Sequence, residues 1–167
     1  VHVKPCDVSS RKEVEAFASW ILSHTSSIDV LVNNAGTFIT GNVYDEEDGV
    51  LEQQMETNVY GAYYLTRRLV PEMIRQKKGH IFNICSIASL KAYKHGGSYS
   101  ITKYALAGFS ANLRDELRTR QIKVTSVFPG AAYTASWDSS GIEPDRFMKA
   151  ADIADMVFAS SQLSPQA

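Results

Sequence analysis

The chain has 167 residues, enough for one domain with a real core. Its 44% apolar and 21% charged content is that of an ordinary globular protein, and a net charge of −1 leaves no electrostatic footprint for nucleic acid or an anionic membrane. No apolar run approaches the ~20 residues of a membrane span, and His2, His24, His80 and His95 do not fall at metal-ligand spacing.

The opening VHVKPCDV reads as a short strand ending at Asp7-Val8. It has neither an initiator methionine nor a signal-peptide layout, so the chain is expected to begin partway through a domain. Ser10 stands three residues before Glu13, a capping-box pattern, and Val14, Phe17, Ile21 and Leu22 then share one helix face. A buried-type strand follows from Ile28 to Val32, broken by Asn33-Asn34-Ala35-Gly36. The acidic run Asp45 to Asp48 suits a solvated helix start. A long helical pattern covers about Leu51 to Gln76, with Pro71 marking a kink or a break. GHIFNICS is a second buried-type strand; Ser98 to Arg118 is a helix; IKVTSVFPG is a third strand ended by Pro129-Gly130; AADIADMVFASSQL is a last short helix. Cys6 and Cys85 lie in or beside strands at no metal-ligand spacing, which reads as buried, reduced thiols in a cytoplasmic protein.

Strand–helix alternation with continuous apolar strands predicts an α/β doubly wound parallel sheet, Rossmann-like, covered on both faces. In such sheets ligands bind beyond the carboxyl ends of the strands. Those ends carry Asp7-Val8, Asn33–Gly36, Ser86 and Pro129-Gly130. The helix after the Ser86 strand opens at the same edge with Tyr99 and Lys103, which share an apolar stripe with Leu106, Leu113 and Leu117. A lysine on a core stripe either snorkels off the first turns or has a polar partner at that edge. Taken singly, Ser86 ends a strand, Asn58 satisfies a local backbone group, Asn33-Asn34 makes a turn and Asp7 caps a helix. Gly36 and Gly41 mimic the start of a phosphate loop, but Asn42 follows where Lys-Ser/Thr is needed.

Together these residues resemble the short-chain dehydrogenase/reductase family, in its simple reductase branch. Tyr99-Ser-Ile-Thr-Lys103 fits the Y-x-x-x-K signature, and Ser86 lies 13 residues earlier, the usual offset of the family's serine. NNAG at 33–36, Asn58 in ETNVYGAY, Pro129-Gly130 followed by Thr134, and Asp7-Val8 match further family segments in the right order. The resemblance implies an NAD- or NADP-dependent oxidoreductase acting on a small-molecule alcohol or ketone. It implies that Tyr99 gives or takes the proton, that Lys103 lowers the phenol's pKa, that Ser86 holds the carbonyl oxygen and that Asn58 anchors a water on a proton path. It implies a cofactor site formed by Asp7, Val8, Asn34, Ala35, Gly36, Tyr99, Lys103, Pro129, Gly130, Ala132 and Thr134.

The family's T-G-x-x-x-G-x-G loop is absent from the sequence, as are the first two βα units and the last strand. The domain over residues 1–167 is therefore expected to be incomplete at both ends, with little activity alone. Trp137–Met148 is expected to form a flap over the substrate. A homodimer or homotetramer through the long helices, with Tyr60, Tyr63 and Tyr64 as packing or interface residues, is also implied. The competing readings are a dinucleotide-binding sensor or scaffold without turnover, and a lyase or epimerase using the same tyrosine.

Overall fold

The computed structural model describes residues 1–133 and 143–164. Three parallel strands lie side by side in chain order: β1 (Val30–Asn33), β2 (Gly79–Ile84) and β3 (Ile122–Val127). Their register sets Leu31, Ile81 and Val124 abreast, so these side chains stand on one face. Against that face pack α1 (Arg11–His24), α3 (Gly61–Gln76) and α4 (Gly97–Leu117), which contribute Ala18, Leu69, Met73, Leu113 and Leu117 to a common core. The second face carries His80 and Lys123. Lys123 Nζ donates to the carbonyls of Leu163 and Ser164 at 2.9 and 3.3 Å, which brings the end of α5 (Ala150–Ser161) to this side. Helices thus stand on both faces, and the fold is a Rossmann-like α/β fold with a parallel sheet.

A polar chain crosses the apolar layer near the carboxyl ends of the strands. Asn33 Nδ2 donates to Thr66 Oγ1 at 3.0 Å and to Asn83 Oδ1 at 2.7 Å, and Asn83 Nδ2 donates to Ser110 Oγ at 2.8 Å. All four residues are buried. Their mutual bonds replace lost water and lock β1, β2, α3 and α4 in one relative position. Asn33 is therefore a strand residue with a core role, where the sequence offered it as part of a turn.

Several expectations change. Val1–Val8 forms no strand, because a strand exists only through a ladder partner, and none is present among the described residues. The segment lies instead against α1, with His2 and Lys4 on the Trp20 ring. Ser10 caps α1 by accepting from the Glu13 amide, but the Glu13 carboxylate accepts from the Asp7 amide at 2.8 Å, so only half of the capping box forms. β1 is covered on one face only: Leu31 and Asn33 are buried while Val30 and Val32 are 43% and 42% exposed. The long helical pattern is interrupted at Glu56–Tyr60 rather than at Pro71. Those five residues form a π-helical turn between α2 (Val50–Met55) and α3, and α3 runs straight through the exposed Pro71. The acidic run is not wholly solvated, since Glu46 is half-buried against the start of α4.

His80 is 5% exposed; its Nε2 bonds Thr125 Oγ1 at 2.8 Å and its Nδ1 has no hydrogen-bond partner among the described residues. Burial, reinforced by Lys123, lowers its pKa to about 4. The unfolded chain keeps an ordinary imidazole pKa near 6.5 and so binds the proton first as pH falls. The stabilisation is full above about pH 6.5 and drains as pH drops toward 4. Urea unfolding is predicted to show a loss on the order of 1 kcal/mol between pH 7 and 5.5, and His80→Gln should flatten that slope. An equal slope in the variant would place the titration elsewhere.

Candidate active site

The segments that leave β1, β2 and β3 meet the first turns of α4 around a cleft of about 430 Å³. Asn34 and Gly36 line it from β1, Ser86 from β2, Pro129, Gly130 and Ala132 from β3, and Tyr99 and Lys103 from α4. Each ladder ends where the backbone turns, which is why groups separated by up to 98 positions converge on one edge.

The Ser86 end is fixed by its own hydrogen bonds. Ser86 caps a 3-10 turn, Ile87–Ser89, accepting from the Ala88 amide at 3.1 Å while Ser89 Oγ accepts from the Ser86 amide at 3.3 Å. The Cys85 and Ile87 amides donate to the carbonyls of Val127 and Pro129 at 2.8 and 3.0 Å, stitching the ends of β2 and β3 together. After β3 the chain is held by Met148, whose amide donates to Ala131 at 2.9 Å and whose carbonyl accepts from Tyr133 at 3.1 Å. Thr134 and half of the expected Trp137–Met148 flap, residues 137–142, lie outside the described residues.

Lys103 is 6% exposed, and its Nζ donates to the Ile84 carbonyl at 2.9 Å, 5.7 Å from the centre of the Tyr99 ring. It does not snorkel to solvent; it spans from α4 to the last residue of β2. Gly36 lies beside it. A Cβ at Gly36 would stand 3.6 Å from Lys103 Nζ and 3.2 Å from Asn58 Oδ1. The Tyr99 ring meets Phe38 edge to face at 4.8 Å.

Burial raises the Tyr99 pKa; the Ser86 hydroxyl lowers it by hydrogen bonding, and Cys85 adds to the rise. Burial likewise lowers the Lys103 pKa, with Cys85 opposing. At the phenol, burial thus outweighs the Ser86 hydrogen bond. Cys85 is a buried thiol whose pKa burial raises, which makes it a poor nucleophile.

Asn58 stands behind the cleft wall, in the π-helical turn, and is 1% exposed. Its Nδ2 donates to the Thr37 carbonyl at 2.9 Å and to Thr102 Oγ1 at 3.0 Å, and its Oδ1 accepts from the Thr37 amide at 2.7 Å. Both amide hydrogens are used, so the side chain pins the loop after β1 to α4. Asp7, Val8 and Ala35 also lie off the cleft lining. The exposed Asp7 carboxylate accepts from the Ser9 amide and hydroxyl at 2.9 and 2.7 Å, and the Val8 carbonyl packs against Gly61 of α3. Phe38, Tyr93, Ile87 and Ile153 line the cleft and were not expected. Their one sequence signal was adjacency to the strand ends, which holds for Phe38 and Ile87 only.

Ultraviolet titration of the protein against Tyr99→Phe is predicted to show no Tyr99 ionisation below about pH 10, the ordinary phenol value. A Tyr99 step near neutrality would contradict the burial of this phenol.

The family model described as short chain dehydrogenase matches residues 1–144. A sepiapterin reductase of Chlorobaculum tepidum is 36% identical over 131 residues, 78% of this chain and 54% of that protein. The crystal structure of a metagenomic short-chain oxidoreductase in complex with NADP is 32% identical, with a TM-score of 0.81 over 99% of this chain and 69% of that one. Serine dehydrogenase from Escherichia coli is 29% identical, with a TM-score of 0.83 over 99% of this chain and 72% of that one. The chain thus spans about half the length of the first of these relatives. By the family match and by its parallel sheet, the chain belongs to the short chain dehydrogenase family.

Proposed function

We propose that the protein of which this chain forms part is an NAD(P)-dependent oxidoreductase that interconverts a carbonyl and an alcohol. The observation that carries this reading is the meeting of Ser86, Tyr99 and a buried Lys103 in one cleft at the carboxyl edge of a parallel sheet. A sensor needs no buried proton donor there.

The residues present fit a dinucleotide. Asn34, Gly36 and the segment from Pro129 to Ala132 line one cleft with Tyr99 and Lys103. The metagenomic relative binds NADP, which supports a nicotinamide cofactor here. When bound, that cofactor supplies or accepts the hydride. Asn34, Gly36, Lys103 and the Pro129–Ala132 segment would hold it.

The chain's own residues do the rest. Ser86 Oγ donates to the substrate oxygen and keeps it against Tyr99 Oη. As negative charge develops on that oxygen, Tyr99 Oη passes its proton to it. The raised phenol pKa keeps that proton in place until the oxygen calls for it. In the alcohol-oxidising direction Tyr99 Oη takes the proton back, and positive charge in the cleft, that of Lys103 included, favours its ionised form. Phe38, Tyr93, Ile87 and Ile153 give the substrate an apolar, partly aromatic wall.

Tyr60 and Tyr63 on one side and Ile101 and Tyr104 on α4 are 38–45% exposed, which supports assembly into a homodimer or homotetramer. No described helix is long and apolar enough to cross a membrane, and both cysteines are free, which fits a cytoplasmic setting.

In the full-length protein, Tyr99→Phe is predicted to lower ketone reduction by at least ~10³-fold, read at the reduced-nicotinamide band, with cofactor affinity within about threefold. An unchanged rate would refute the role given to Tyr99.

A further inference from the structure

Helix α4 carries Tyr99 and Lys103, yet its own N-terminus is poorly made. Its N-cap is Gly96, with no side chain to accept from the free amides. A carboxylate from elsewhere does that work. Glu46 Oε1 accepts from the Ser98 amide at 2.9 Å, and Glu46 Oε2 accepts from Ser98 Oγ. Ser98 is buried and immediately precedes Tyr99.

Two glycines leave the space this carboxylate fills. A Cβ at Gly41 would stand 2.6 Å from Glu46 Cγ, and one at Gly97 would strike Glu46 Oε1 and stand 2.7 Å from the Gly41 carbonyl. Gly97 also holds φ +35°, a left-handed value that disfavours a side chain. The same loop is sewn to the helix start by the Gly41 amide and Thr40 Oγ1, both donating to the His95 carbonyl at 3.2 and 3.1 Å. It carries Phe38, whose ring meets Tyr99. Its own path is held by Asn58 at Thr37 and by the buried Gln54, which accepts from the Ile39 amide at 3.1 Å.

We propose that Glu46 is a positioning residue for Tyr99: it clamps the first turn of α4 so that the phenol stays against Ser86 while Phe38 fixes the ring. The proposal rests on the carbonyl–alcohol reading for its kinetic half only.

The test uses the full-length protein. In Glu46→Ala, amide hydrogen exchange at Ser98 should rise at least about tenfold while exchange from Leu106 to Leu113 stays unchanged. kcat should fall about tenfold with KM within about threefold, and the pH profile of kcat should move. Glu46→Gln keeps an acceptor oxygen for the Ser98 amide and should restore kcat to within about threefold. Ser10→Ala, which removes the cap of α1, should lower stability and leave kcat alone. An unchanged kcat in Glu46→Ala, a fall no larger than the unfolded fraction explains, or unchanged exchange at Ser98 would each overturn the proposal. Wild-type protein that turns over no carbonyl would sink the oxidoreductase reading and the positioning role built on it; faster Ser98 exchange in Glu46→Ala would still uphold the clamp.

Discussion

A lysine ammonium held inside the protein by one carbonyl governs this structure. Lys103 leaves α4, crosses the end of the sheet and donates to Ile84, the last residue of β2. Burying such a group without a partner costs several kcal/mol, so the surroundings must be polar or open on the remaining sides. Those sides are Gly36, which has no Cβ, and the cleft itself. Among the described residues no carboxylate is bonded to it. A cation placed so is poorly suited to stabilising the fold and well suited to meeting a polar ligand.

The rest of the edge is built to keep that geometry. The Asn33–Asn83–Ser110 bonds fix β1 and β2 against α4 from below. The Cys85 and Ile87 amides tie the end of β2 to the end of β3. Asn58 and Gln54 hold the loop after β1; Asn58 also reaches α4 at Thr102, and Glu46 reaches it at Ser98. The reactive side chains thus rest on regular elements braced by buried hydrogen bonds, which is how positions are held to a fraction of an ångström.

Much of this was legible because it follows from periodicity. The 3.6-residue repeat set Tyr99 and Lys103 on the stripe of Leu106, Leu113 and Leu117, and alternating strands and helices implied a parallel sheet with a site at its carboxyl edge. What stayed hidden depends on contacts between distant segments. The π-helical turn at Asn58 leaves no residue-level signature, and its amide bonds Thr37, 21 positions away. Glu46 reads as one more acid in a charged run until the fold brings it to Ser98, 52 positions on. The opening VHVKPCDV has strand-like residues, but pairing decides whether a strand forms. Pro71 has the chemistry of a helix breaker, but it stands on an exposed face where water can take the freed carbonyl.

The opposed shifts of Tyr99 and Lys103 give the pair a resting state. Burial keeps the phenol protonated and weakens the ammonium's hold on its proton. The lysine is the term on which this turns, and its titration can be followed directly in isotope-labelled protein by nuclear magnetic resonance, with Lys103→Met identifying the signal. The midpoint of Lys103 is predicted to lie below the ordinary lysine value. A midpoint at the ordinary lysine value would mean that Lys103 is solvated, and would contradict the buried cation from which the site is built.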